Sequence, residues 1–160
     1  MLQQLVADGS LRPVSGTAFA VTPTLREAYA EGDEDELAEV ALREAALGSL
    51  RLLADDTAGE GPAPRRAVLE ADLDDDIAGI SLRPDLDDAV VRLAGVIPLE
   101  SVIAAYVDNA AAEPAVLAAV EVVDAADLGD EDAELTVGDA QDHDLAWYAP
   151  QELPFLLELL

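Results

Sequence analysis

Thirty-five aspartates and glutamates face eight arginines and no lysine, and the resulting net charge of −27 over 160 residues constrains this chain more than any motif in it. A chain so charged folds only if it buries enough apolar surface to offset the entropy of ordering. Hydrophobic residues make up 51% of it and the mean hydropathy is +0.18, so a packed core is expected despite the charge. The aromatics are few: Phe19, Tyr29, Tyr106, Trp147, Tyr148 and Phe155. The core must therefore be built from Leu, Val and Ala. The length is that of one ordinary domain, so residues 1–160 are expected to share a single core.

The charge also bears on partners. A negative field repels phosphate backbones and anionic lipid, which argues against direct nucleic-acid or membrane binding and leaves a basic protein as the partner class that charge favours. Without cysteine, disulfides and thiolate chemistry are excluded, and a cytoplasmic location is the default. The opening MLQQLVADGSLRP lacks the basic and apolar regions of a secretory signal, and no window approaches the roughly 20 apolar residues of a membrane span. The terminal LPFLLELL reads as a packing helix.

Periodicity and punctuation place the elements. A helix is expected over Met1–Ala7, then a strand at Thr17–Val21 closed by Thr22-Pro23, a cap and a first helical residue for a short helix ending near Gly32. Asp33 to Ala54 is the longest helical signal, with an apolar face of Leu37, Val40, Ala41, Leu42, Ala45, Leu50 and Leu53 and an i,i+4 pair of Glu39 with Arg43. The Gly- and Pro-rich run over 55–65 reads as a mobile loop. Strands are expected at Ala67–Ala71, where Leu69-Glu70-Ala71 suits a helix as well, and at Ile77–Leu82, Ala89–Ala94 and Ile103–Val107, the last preceded by a helical turn at Leu99–Val102 and ended by Asp108 or Asn109. A helix over Glu113–Ala125 should turn Val116, Leu117, Val120 and Val123 inward. Leu135-Thr136-Val137 suggests a short strand within an acidic connection, and Leu145–Ala149 a strand feeding the helix Gln151–Leu159. TAFAV, IAAYV and LAWYA each run through a turn into an amphipathic helix, the general grammar of mixed helix and strand domains. The fold class is accordingly α+β or α/β, with a mixed sheet of about four to six strands packed by helices around a single core.

Chemistry is harder to find. Asp72, Asp74 and Asp76 alternate as in a calcium loop, but Ile77 stands where that loop needs Gly and Arg83 where it needs a bidentate Glu. Asp130, Asp132 and Glu134 fail likewise, ending at Gln141. No Gly-rich phosphate loop is present, and lysine-dependent catalysis is excluded outright. His143 is the only histidine, so metal centres built on two or three His cannot form, and none of Ser10, Ser15, Ser49, Ser81 or Ser101 sits in a nucleophile elbow. No catalytic, metal-ligating or cofactor-binding residue can be named. His143, Trp147 and Tyr148 are the candidates for a pocket or interface; Trp147 and Tyr148, adjacent on one strand, should point to opposite faces.

Three explanations of the charge are open. The absence of Lys beside plentiful Ala and Gly fits a GC-rich coding bias with acids covering the surface; recognition of a basic partner, or mimicry of DNA, is the second; adaptation to high salt is the third, against which the richness in Leu counts. The acids concentrate in Asp33–Glu44, Asp72–Asp88 and Asp127–Asp144, and charge acquires functional meaning only if these stretches meet in space.

The segments at Thr17–Ala54, Val123–Ala133 and His143–Leu157 resemble an uncharacterised conserved protein family of high-GC actinobacteria, a domain of unknown function. Members of that family begin with an additional short strand, so the resemblance implies a domain that here starts inside its first helix and lacks that strand. It implies a cytoplasmic bacterial protein and transfers no catalytic residue, cofactor or partner. The leading functional expectation is a non-enzymatic interaction or regulatory protein that binds a basic partner. The alternative is a small carboxylate-dependent enzyme, Mg²⁺-assisted, with a pocket near Trp147 or Tyr148. Oligomeric state is left open.

Overall fold

Capping residues set where the helices of this chain begin. In the computed structural model, which describes residues 2–55, 64–74 and 79–159, the first helix, α1 (Leu2–Asp8), buries Leu2 and Leu5. Thr22 then opens α2 (Pro23–Ala28): its hydroxyl accepts from the Leu25 amide at 3.1 Å, and Pro23 fills the first turn. The same hydroxyl donates to the Asp88 carbonyl, so one side chain both starts a helix and fastens a distant loop. Asp33 accepts from the Glu36 amide at 2.8 Å to begin α3 (Glu34–Asp55), whose first turn carries Glu34, Asp35 and Glu36 at the positive end of the helix dipole. Arg43 on this helix donates to the Gln141 carbonyl at 3.5 Å, and the pair expected with Glu39 is not among the ion pairs of the described residues.

Two helices form a hairpin near the C-terminus. α4 (Glu113–Asp127) follows a 3₁₀ turn in which Asn109 accepts from the Ala112 amide at 3.3 Å, and it ends at Leu128 and Gly129, where φ of +96° suits a residue without a Cβ. Asp130 then accepts from the Ala133 amide at 2.9 Å and starts α5 (Glu131–Gln141). The strand expected at Leu135-Thr136-Val137 lies inside this helix. A cap at Asp130, three acids in the first turn and burial of Ala133, Val137 and Ala140 at helical spacing outweigh the β-branched pair Thr136-Val137. Leu117, expected inward, is 51% exposed; the buried face of α4 runs through Val116, Ala119, Val120 and Val123, and Leu117 lies one residue off it. A 3₁₀ turn at Pro150–Glu152 leads into α6 (Leu153–Leu159).

Helix and strand mix as expected, and the strands divide into three small antiparallel sheets instead of gathering into one. β1 (Ser10–Leu11) pairs with β6 (Ile97–Pro98). β5 (Val90–Leu93) lies between β2 (Thr17–Phe19) and β4 (Ile80–Leu82). β7 (Val102–Val107), begun by a 3₁₀ turn at Leu99–Ser101, lies between β3 (Ala67–Ala71) and β8 (Ala146–Tyr148). Residues 77 and 78 of the strand expected over Ile77–Leu82, and residues 56–63 of the expected mobile loop, lie outside the described residues.

The buried apolar residues fall into three clusters. The first joins all three sheets to α1 and α6 through Leu5, Leu11, Val91, Ile97, Ala105, Val107 and Leu153. The second lies among α3, α4 and α5, centred on Leu50, Val116, Val123 and Ala140; full burial of Leu50 alone contributes about 1.5–3 kcal/mol. The third is small, Leu25, Leu37 and Ala89 with Phe19 packed against it. Phe19 reaches α3 at Gly48, where an added Cβ would meet its ring at 3.1 Å. α1 and α6 pack with the sheets on the first cluster, and α3, which contacts β2 and β3, joins the sheets to the α4–α5 hairpin, with few aromatics in the interior.

Candidate functional site

The register of β3, β7 and β8 decides what the chain presents on each side of that sheet. Leu69, Ala105 and Tyr148 form one cross-strand row and pack on the first cluster. Val68, Tyr106 and Trp147 form the next row, and alternation along the strands points them to the opposite side. Asp108 donates its amide to the Arg66 carbonyl at 3.1 Å, extending the ladder by one pair. Arg66 and Asp108 thus share the face of Val68, Tyr106 and Trp147.

One end of this face is sealed. Arg66 and Asp108 are each only 1% exposed, and the arginine donates its backbone amide (2.8 Å) and Nε (2.9 Å) to Asp108 Oδ2 and its Nη2 to Oδ1 (2.8 Å). Nη2 also reaches the His143 carbonyl at 2.8 Å, and Nη1 the Gln141 Oε1 at 2.9 Å. Gln141 in turn donates to the Arg43 carbonyl on α3 at 3.0 Å. Every guanidinium nitrogen is engaged, which is what burial of a charged group requires. Next to it, Arg65 donates Nε and Nη2 to Glu113 Oε1 at 3.0 and 2.7 Å, tying the start of β3 to the first turn of α4. Ser49 on α3 accepts from the Ala67 amide at 3.0 Å, so a helix covers that edge of the sheet. This polar hub docks three helices on one strand pair and fixes the pair's register; it is a structural centre.

A cavity of about 60 Å³ adjoins the hub, lined by Leu42, Arg43, Ala46, Arg66, Gln141, His143, Asp144 and Leu145. Pockets that hold metabolites measure roughly 300–1,000 Å³, so this one admits water-sized molecules only. A second hollow, about 490 Å³ and broadly open, lies over the turn between α2 and α3, lined by Tyr29, Glu31, Gly32 and Glu36. Among the described residues no group of three or more His, Asp and Glu side chains is arranged to hold a metal ion.

The other end of the face is open. Val68 and Ala104 are buried and Tyr106 is half-buried, while Trp147 is 59% exposed and Glu70 is exposed. The Tyr106 hydroxyl donates to Glu70 Oε2 at 2.9 Å, so the tyrosine joins a carboxylate on β3 to the indole on β8. Burial, then the bond to Glu70 and its charge, raise the Tyr106 pKa. The register shifts between Glu70 and Ala71, leaving Ile103 as an extra, exposed residue on β7, a bulge that bends the sheet at this end. Of the residues singled out in the sequence, Tyr148 packs into the interior, Trp147 stands on the open face, and His143 contributes its carbonyl to the hub and lines the small cavity.

One carboxylate from each acidic stretch acts on the charge of Arg51. Arg51 donates Nε and Nη2 to Asp127 at 3.1 and 2.9 Å, and this bond, opposed by burial, holds the guanidinium above its ordinary value together with the charges of Asp127, Glu44 and Asp87. Glu44, Asp87 and Asp127 come one from each stretch. Partial burial and then the Asp87 charge raise the Glu44 pKa, against Arg51 and Arg43.

Arg66 and Asp108 escaped the sequence reading. Their only trace was an arginine just before one strand and an aspartate just after another, which becomes a pair only once the register is known. No curated protein and no solved structure matches the chain. A family model does, over residues 1–157, and with the fold and its two-ended sheet face in view the chain belongs to that family of unknown function, DUF6912.

Proposed function

We propose that this is a non-enzymatic interaction or regulatory protein of the cytoplasm that binds a basic protein partner. One observation carries the reading. Among the described residues, five arginines are tied to the chain's own carboxylates, Arg26 to Glu34, Arg51 to Asp127, Arg65 to Glu113, Arg66 to Asp108 and Arg83 to Asp85, and each such pair offsets only one of the chain's 35 acids. The excess of negative charge is therefore carried on the surface, where it steers a cationic partner and repels nucleic acid. The test is capture on the immobilised protein at low and at high salt. Basic proteins enriched at low salt and released at high salt support the reading; enrichment without regard to partner charge contradicts it.

A carboxylate-dependent enzyme is the second reading, favoured by the raised pKa of Glu44 opposite Asp87. Glu44 lines neither of the cavities described above. Thermal stabilisation by Mg²⁺ that is lost in Glu44→Gln would promote it.

A further inference from the structure

We propose that the open end of the β3–β7–β8 face, built from Trp147, Tyr106, Glu70 and Asp72, is a recognition site for an arginine side chain on a basic segment of that protein partner. The inference rests on the reading just given and names where the partner is gripped.

Trp147 is the chain's one tryptophan, and its indole stands open to a partner on the same side of the sheet as Tyr106. It stands directly across from Tyr106, whose hydroxyl is already committed to Glu70, so the aromatic pair and the carboxylate form one connected surface. Alternation along β3 and its extension sends Ala67, Leu69, Ala71 and Leu73 to the interior, which places Asp72 on the same side as Glu70, and both are exposed. No ion pair of the described residues involves Glu70 or Asp72.

The chemistry of this surface selects its occupant. An aromatic face attracts a cation, and a neighbouring carboxylate fixes its position. A guanidinium satisfies both at once, because it is flat enough to lie on the indole while its forked donors reach Glu70 from the side. An ammonium gains most inside an enclosing aromatic cage, which two aromatics side by side in one cross-strand row do not supply. A single-stranded oligonucleotide would also stack on Trp147, but Glu70, Asp72 and the net charge oppose its phosphates.

Trp147 supplies its own readout. An arginine-rich peptide titrated at low ionic strength is expected to change the tryptophan emission saturably, and the matched lysine peptide to bind more weakly. With a labelled peptide, Trp147→Ala and Glu70→Gln should each weaken binding roughly three- to tenfold, while Glu121→Gln, an equal loss of charge on the exposed side of α4, leaves it nearly unchanged. Unaltered melting temperatures for the variants exclude misfolding as the cause. If the peptide binds but ignores Trp147→Ala and Glu70→Gln as it ignores Glu121→Gln, this site is refuted and the basic-partner reading stands. If no cationic peptide binds at low salt, both fall. Tighter binding of an oligonucleotide than of the arginine peptide would also overturn the assignment.

Discussion

Arg66 and Asp108 meet in the interior through four hydrogen bonds, two from the guanidinium, one from the arginine's amide and one from the aspartate's amide, at the end of the sheet where β3 begins, β7 finishes and the helices settle on it. In a chain with eight cations, one is spent entirely out of reach of solvent. The pair is the sealed end of the sheet face whose other end carries Glu70 and the exposed Trp147.

Removing either partner strands a buried charge. Asp108→Ala or Arg66→Ala should destabilise the protein by about 3–5 kcal/mol, read as a lowered midpoint in urea. Replacing both with apolar residues of similar size should recover much of the loss, and a double-mutant cycle would measure the coupling.

Glu44 supplies a pH dependence whose sign is fixed. Its pKa is raised in the folded protein, first by burial and then by Asp87, so over its titration range the folded state binds more protons than the unfolded state. Stability from this group is present at acid pH and falls as pH rises through that range. Glu44→Gln should raise the melting temperature at neutral pH and have a smaller effect in mild acid. The reverse order would contradict the arrangement of Glu44 with Asp87.

The Asp130 cap is what makes the segment after it a helix. Asp130→Ala should cost about 1 kcal/mol and reduce helical circular dichroism while leaving Trp147 emission unchanged, since the two lie on different elements.

Added salt should raise the melting temperature, because it screens the repulsion among surface acids. The same titration on Arg66→Ala should show a parallel rise, since the buried pair is hidden from the ions that screen the surface.

Local signals were the legible part of this chain. Thr22-Pro23 announces α2, the bounds of β3 follow from its composition, and the helix after Pro114 follows from its apolar spacing. Tertiary facts were hidden. Thr136-Val137 looks strand-like until Asp130 and the cluster around Leu50 are seen to claim it for a helix. The Arg66–Asp108 pair needs a register, and the division into three sheets depends on which short strands meet, which periodicity does not encode. For the candidate surface, Trp147 and Tyr148 could be assigned to opposite faces, but not which of them faces water, because that depends on where α1 and α6 pack.

The account turns on a basic partner meeting the exposed indole. Its most direct measurement is Trp147 emission during titration with the arginine-rich peptide at rising ionic strength. A saturable change whose affinity falls steeply with salt is the predicted result. An unchanged spectrum at low salt, or binding indifferent to salt, would contradict it.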